Sequence, residues 1–273
     1  MTGIFDSGRE NIAMSGPKFW VPFEHVSIGG QRIITASRKE LTEAMVQDCL
    51  GARDRTVGPR LVFDANGQGI SMGGTHSGYR QAVDAADVIH ADGGFLVSVS
   101  RFLPGSAIKE RSATTDLMHD CAGVAAAHGL TFYLLGGDER VNANCVKRLQ
   151  ELYPGLQVVG RRDGFFTEEQ EAGIIDDINR VNPDVLWIGL GKPKEQIFSV
   201  KWRGSLNCGW LITCGGCYNY ITGDYPRAPL WMQNFNLEWI YRAFTSRKLF
   251  WRYFITTPHA LWIIATRLGG GKA

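Results

Sequence analysis

Along most of the chain, short apolar runs alternate with stretches whose apolar residues recur every three or four positions. Runs of the first kind predict buried strands and stretches of the second kind predict amphipathic helices. Residues 25–34 alternate apolar and polar around Gly29-Gly30, which predicts a hairpin. Ser37 then predicts the cap of a helix over 38–51, with Leu41, Met45 and Cys49 on one face. Strands are expected at 60–63, 88–91, 131–135, 156–159, 184–190 and 209–213, and helices at 79–86, 116–128, 138–152, 167–181 and 193–202. A further helix is expected after Asp92, and 106–111 reads as a loop. Thr115 is the expected cap of the 116–128 helix and Gly129 its stop. Thr167-Glu168-Glu169-Gln170 has the form of a capping box. Such alternation predicts an α/β fold, Rossmann-like, with a mostly parallel sheet and helices on both faces. Three segments follow: a loose leader at 1–24, an α/β domain at 25–230, and a C-terminal helical appendage at 231–273.

The appendage differs in composition. It interleaves Trp231, Phe235, Trp239, Tyr241, Phe244, Phe250, Trp251, Tyr253, Phe254 and Trp262 with basic residues, and no acidic residue follows Glu238. Rings at headgroup level and cations against phosphates suit an anionic membrane surface. A terminal helix pair packed on the core is the alternative, and a homo-oligomer would cover the same apolar surface. With 273 residues and a net charge of +2, the chain has no bulk charge that calls for nucleic acid. No run approaches the ~18 apolar residues of a membrane span, and the first residues show no secretory signal. Six cysteines include one CxxC pair, Cys214 and Cys217, with no second pair to complete a zinc site. They read as small buried thiols in a reducing compartment.

The candidate chemistry centres on Val88-Ile89-His90-Ala91-Asp92-Gly93-Gly94. Asp92 stands where a strand ends, and the glycines after it let a ligand approach. A carboxylate there can take a proton from a substrate; the alternative is that it caps the following helix. Gly136-Gly137 ends another strand and opens a helix whose N-terminus can face a phosphate. Gly189-Leu190-Gly191-Lys192 fails as a Walker A loop, because Leu186 and Pro193 stand where Gly and Ser or Thr belong. Gly67-Gln68-Gly69 lacks the third glycine of a dinucleotide fingerprint. No Asp-x-Asp occurs, so no metal and no cofactor is expected, and the histidines, His90 included, read as structural.

Taken in order, these motifs resemble the WecG/TagA/CpsF glycosyltransferases, glycosyltransferase family 26. Asp92-Gly93-Gly94 is similar to the family's Asp-Gly segment. Glu110-Arg111 with Thr115-Asp116-Leu117 resembles "ERxxGxDL". Leu135-Gly136-Gly137, the stretch Tyr153-Pro154-Gly155-Leu156-Gln157-Val158-Val159-Gly160, and Asp163-Gly164-Phe165-Phe166 match next. Gly189-Leu190-Gly191-Lys192-Pro193-Lys194 is similar to "GLGxPKQE". Gly223, Arg227-Ala228-Pro229, Trp231, Leu237-Glu238-Trp239-Ile240-Tyr241-Arg242, Arg247 and Arg252-Tyr253 match the closing segment.

The resemblance implies an inverting, metal-independent hexosyltransferase of polysaccharide biosynthesis. It implies transfer from a UDP-sugar donor to a polyprenyl-diphosphate-linked sugar acceptor, by a cytoplasmic protein held peripherally at the inner face of the membrane. It implies Asp92 as general base and Asn66 beside it. Gly93, Arg111, Gly136, Gly137, Gly191 and Lys194 are implied as further substrate-binding positions. Arg227, Arg242, Arg247 and Arg252 would offset diphosphate charge. Three departures stand out. "PKQE" is Pro193-Lys194-Glu195-Gln196 here, so the pocket Gln falls on Glu195, with Gln196 next to it. The family's Thr two residues before the pocket Asn is Asp64, a second carboxylate able to raise the pKa of Asp92 or compete with it. The Gly of "ERxxGxDL" is Thr114. A catalytically degenerate member acting as a membrane-bound scaffold, and a nicotinamide oxidoreductase, are the alternatives.

Overall fold

The computed structural model describes residues 20–54, 57–229, 231–232, 238–245 and 247–269. Most of the expected leader, residues 1–19, lies outside the described residues. The first described element is the expected hairpin, β1 (His25–Ile28) antiparallel to β2 (Gln31–Ile34). Gly29 and Gly30 turn it at φ 58° and 83°, a conformation cheap only for glycine. α1 (Arg38–Gly51) opens on a capping box, with Glu40 Oε2 accepting from Ser37 N at 2.8 Å.

Next come β3 (Arg60–Ala65), α2 (Gly67–Thr75), α3 (Ser77–Asp84), β4 (Val88–Ala91), α4 (Gly94–Ser100) and α5 (Thr114–His128). β5 (Thr131–Gly136), α6 (Glu139–Leu152), β6 (Gln157–Arg162) and α7 (Glu168–Val181) follow, then β7 (Val185–Gly189), α8 (Lys194–Trp202), β8 (Trp210–Thr213) and α9 (Cys217–Ile221). The tail supplies α10 (Glu238–Thr245) and α11 (Arg247–Gly269). β3 to β8 form one parallel sheet in the order β4-β3-β8-β7-β5-β6. Side chains alternate across it. Val62, Leu134, Trp187 and Ile212 join α1, α5, α6 and α9 on one face, while Phe63, Leu135, Ile188 and Leu211 join α7 and α8 on the other. The α/β fold expected from the alternation is the fold observed.

A third apolar cluster joins the hairpin, α2 and the tail: Ile28, Ile33, Ile70 and Leu96 pack with Ala260, Ile263 and Ile264. α11 lies so close to α2 that a Cβ on Gly74 would stand 2.7 Å from Ile263 Cδ1. His259 Nδ1 and Ser71 Oγ are 2.9 Å apart, and Arg267 donates to Gly29 O at 2.9 Å.

Four elements differ from expectation. α2 has no counterpart among the predicted helices, because Gly67-Gln68-Gly69 and Gly73-Gly74 give it almost no intrinsic helix propensity. α5 starts at Thr114 with Ala113 as its N-cap, so Thr115 does not cap it. β6 runs to Arg162 rather than ending at 159, and β3 runs on to Ala65, so Asp64 lies within the strand.

Candidate active site

β3 and β4 end side by side, Ala65 opposite Ala91, at the carboxyl edge of the sheet. Each hands over to a polar residue. Asn66 follows β3 and caps α2, its Oδ1 accepting from Gly69 N at 3.0 Å. Asp92 follows β4, and its own N–H and that of Gly93 both donate to Ala65 O.

Asp92 does not cap the next helix. That place belongs to Gly93, which makes no side-chain cap bond to α4. The carboxylate instead reaches the more distant α5, where Oδ1 accepts from Thr114 N at 3.0 Å. Thr114 N is a helix-start donor with no intrahelical acceptor, so Asp92 satisfies it and lies at the positive end of α5. Oδ2 accepts from Asn66 Nδ2 at 3.3 Å. The residue is half-buried, not turned into the core. A carboxylate offers about four lone-pair sites and can accept from several donors at once.

Asn66 Nδ2 also donates to Asp64 Oδ2 at 3.0 Å. Asp64 is buried and ion-paired with Lys192, whose ammonium also donates to Asp64 O at 3.0 Å. Burial works against the Lys192 charge, but Asp64, Tyr79 and Glu195 together outweigh it and lift the lysine above its ordinary pKa. Lys192 occupies the variable position of "GLGxPKQE".

Glu195 and Gln196 lie beneath this pair, both fully buried. Glu195 Oε2 accepts from Gly191 N at 2.9 Å and Gly215 N at 3.0 Å, tying together the turns after β7 and β8. Burial, reinforced by Asp64, pushes its carboxyl up to about 7 against the pull of Lys192 and the two N–H groups. Gln196 Nε2 donates to Glu195 Oε1 at 3.1 Å and to Thr213 Oγ1 at 3.4 Å, while its Oε1 is buried with no partner. His90 is buried, with Nδ1 2.9 Å from Ser112 O, and burial lowers its pKa.

On the tail side, Arg111 donates from Nε to Asp92 O at 3.1 Å and from Nη2 to Glu238 Oε2 at 2.7 Å. Arg227 Nη2 donates to the same oxygen at 3.4 Å, and Nη1 pairs with Asp116, itself 3.2 Å from Arg38. Glu238 is buried, so one tail carboxylate joins two arginines beside Asp92. The remaining expected positions lie further along the same edge. Gly136 ends β5 and Gly137 follows it, with Gly137 N donating to Gly189 O at 3.1 Å. Gly191 faces open space, and Lys194 is exposed with its ammonium 4.6 Å from the Phe166 ring centre. Arg252 is half-buried with its guanidinium 5.3 Å from the Tyr253 ring centre. The side chains of Arg242 and Arg247 lie outside the described residues.

The structure therefore brings Asp64, Asn66, Asp92, Gly93 and Arg111 together, with Glu195 and Gln196 below and Arg227 reached through Glu238. Sequence reasoning missed Lys192 and Glu238 as members of the site. Glu238 had a signal, as the last acid before an all-basic tail. Among the described residues no cluster of three or more His, Cys, Asp or Glu side chains could hold a metal ion, and no helix is long and apolar enough to cross a membrane.

A model of the "Glycosyl transferase WecG/TagA/CpsF family" matches residues 26–272. The chain belongs to that family. Two similar proteins, from Bacillus spizizenii and Bacillus subtilis, are both named N-acetylglucosaminyldiphosphoundecaprenol N-acetyl-beta-D-mannosaminyltransferase. The first is 28% identical over 180 residues, 66% of this chain and 68% of its own. The second is 27% identical over 213 residues, 78% of each chain. As a WecG/TagA/CpsF member the protein is a glycosyltransferase, and its three departures from the family pattern gather around Asp92. Asp64 shares Asn66 with it, Thr114 donates to it, and Glu195 feels the Asp64 charge.

Proposed function

We propose that this protein transfers a hexose from a UDP-sugar to a polyprenyl-diphosphate-linked sugar with inversion, using Asp92 as general base. The observation that carries this reading is the half-buried Asp92 carboxylate at the sheet's carboxyl edge, held by Thr114 N and Asn66 with Arg111 against its backbone. The acceptor hydroxyl oxygen forms the new bond to the anomeric carbon as its proton passes to Asp92. The bond from that carbon to the donor phosphate breaks, and UDP leaves with the electron pair. Cationic side chains then face the developing charge, and Arg111 and Arg227, joined at Glu238 beside Asp92, are two described candidates. The glycine turns after β5 and β7 are the donor-side positions, where backbone comes close enough to contact phosphates.

The acceptor class follows from the names of the two relatives, which act on an undecaprenyl-diphosphate-linked sugar. It fits a tail that exposes Trp251, Phe254, Ile255, Leu261 and Trp262. The protein then works at the inner face of the membrane, docked through α11. Full-length protein in anionic liposomes, offered a panel of UDP-sugars and polyprenyl-diphosphate-sugar acceptors, tests the proposal. One pair should release UDP and extend the lipid-linked sugar, with the anomeric configuration inverted by NMR. No UDP release from any pair would reject the donor class.

A further inference from the structure

Asp64, a departure from the family pattern, meets Lys192, which fills that pattern's variable position, in space. Asn66 Nδ2 lies 3.0 Å from Asp64 Oδ2 and 3.3 Å from Asp92 Oδ2, so these two carboxylate oxygens are at most 6.3 Å apart. Two carboxylates at that distance resist being ionised together. Where the family has an uncharged Thr, this chain has a buried negative charge beside its base. Lys192, 6% exposed, pairs with that charge directly. The Asp64 charge beside Asn66 is thereby offset. Lys192 also sets the amide: an ionised Asp64 accepts only, so Asn66 must turn Nδ2 toward both carboxylates and Oδ1 toward Gly69 N.

We propose that Lys192 is a positioning residue that cancels Asp64, keeping Asp92 ionised and Asn66 oriented toward it. The inference rests on the proposed role of Asp92 only for its catalytic consequence. Other groups face the same cluster. His90 from β4 and Tyr79 from α3 are buried, with burial holding the imidazole below and the phenol above its ordinary range, to about 12 for Tyr79. Glu195 from α8 and Cys217 from α9 are likewise buried, and burial raises both. Arg111 reaches Asp92 through its backbone carbonyl. Of these charges only Lys192 contacts Asp64.

The test is a titration that needs no turnover. Full-length protein carrying 13C-carboxyl aspartate is followed by NMR from pH 3 to 8 as wild type, Lys192→Gln, Asp64→Asn and the double variant. In Lys192→Gln the Asp64/Asp92 pair should show a step about one pH unit or more above the wild-type value. In Asp64→Asn the uncancelled lysine should move the Asp92 step the opposite way. The double variant should return it to the wild-type position. Folded variants whose steps stay at the wild-type pH, or shift in one common direction, overturn the inference. Should Lys192→Gln not fold, the downward shift in Asp64→Asn alone decides. Activity is read separately. If Asp92→Asn retains turnover while the titration behaves as stated, the base assignment fails and the charge-cancelling role of Lys192 stands.

Discussion

Asp92 has two duties at once. It satisfies a helix-start N–H of α5, and in the proposed reaction it takes the proton of the acceptor hydroxyl. Asp92→Asn keeps the shape and one acceptor oxygen but cannot take a proton. Turnover should fall about 100- to 10,000-fold with circular dichroism and thermal midpoint close to wild type; turnover near wild type would remove Asp92 as base. Glu195 gives a second prediction, one of stability. Its folded pKa of about 7 lies above the ordinary 4.5. A carboxyl raised in this way favours the folded state below pH 4.5, and that contribution is lost as pH rises through 7. The loss is about 3 kcal/mol. Glu195→Gln should flatten this dependence: between pH 5 and pH 8 its unfolding free energy should decline less than wild type in urea melts. With its oxygen kept on Gly191 N and Gly215 N, the new amide also gives Gln196 Oε1, buried and without a partner, a donor once the Gln196 amide flips.

At the level of elements, the strands were legible because a strand covered on both faces is an unbroken apolar run. β5, β7 and β8 read that way and occupy nearly the residues expected. α2 was not legible. Its four glycines argue against a helix, and what holds it is the Asn66 cap and the apolar wall of α11, a contact with residues almost two hundred positions away. The start of α5 was misplaced for a similar reason, since its cap is the carboxylate of Asp92, twenty-two residues upstream. The same distance hid half of the site. A motif places Lys192 in a loop, but only the fold places it on Asp64. Gly74→Leu tests the α2–α11 contact: the added side chain meets Ile263 and should cost about 1–3 kcal/mol, read as a lowered denaturation midpoint. Glu238→Gln tests the tail's other attachment. It strips the charge that two arginines share, so limited proteolysis should cut the tail of the variant faster than that of the wild type.

For the whole molecule, the distribution of charge and apolar surface matters more than any one contact. α11 buries Ala260, Ile263 and Ile264 and exposes Trp251, Phe254, Ile255 and Trp262, while the tail's formal charge is all positive after Glu238. Flotation with anionic vesicles should carry the protein upward at low salt. Raising the salt should weaken the capture, because the cationic part of the attraction is screened within about 10 Å at 0.1 M. Trp251→Ser with Phe254→Ser should weaken it at every salt concentration. Equal flotation of the double variant would show that lipid does not meet this face. The burial of Ile263 and Ile264 against Ile70 bears on how the protein can be handled. Shortening the chain after Thr245 to gain solubility would strip one side of the helix that Asn66 caps. Such a fragment would uncover an apolar strip of its own and loosen the amide that sits between the two aspartates. A clean-looking truncated preparation could therefore be inert for reasons unrelated to lipid.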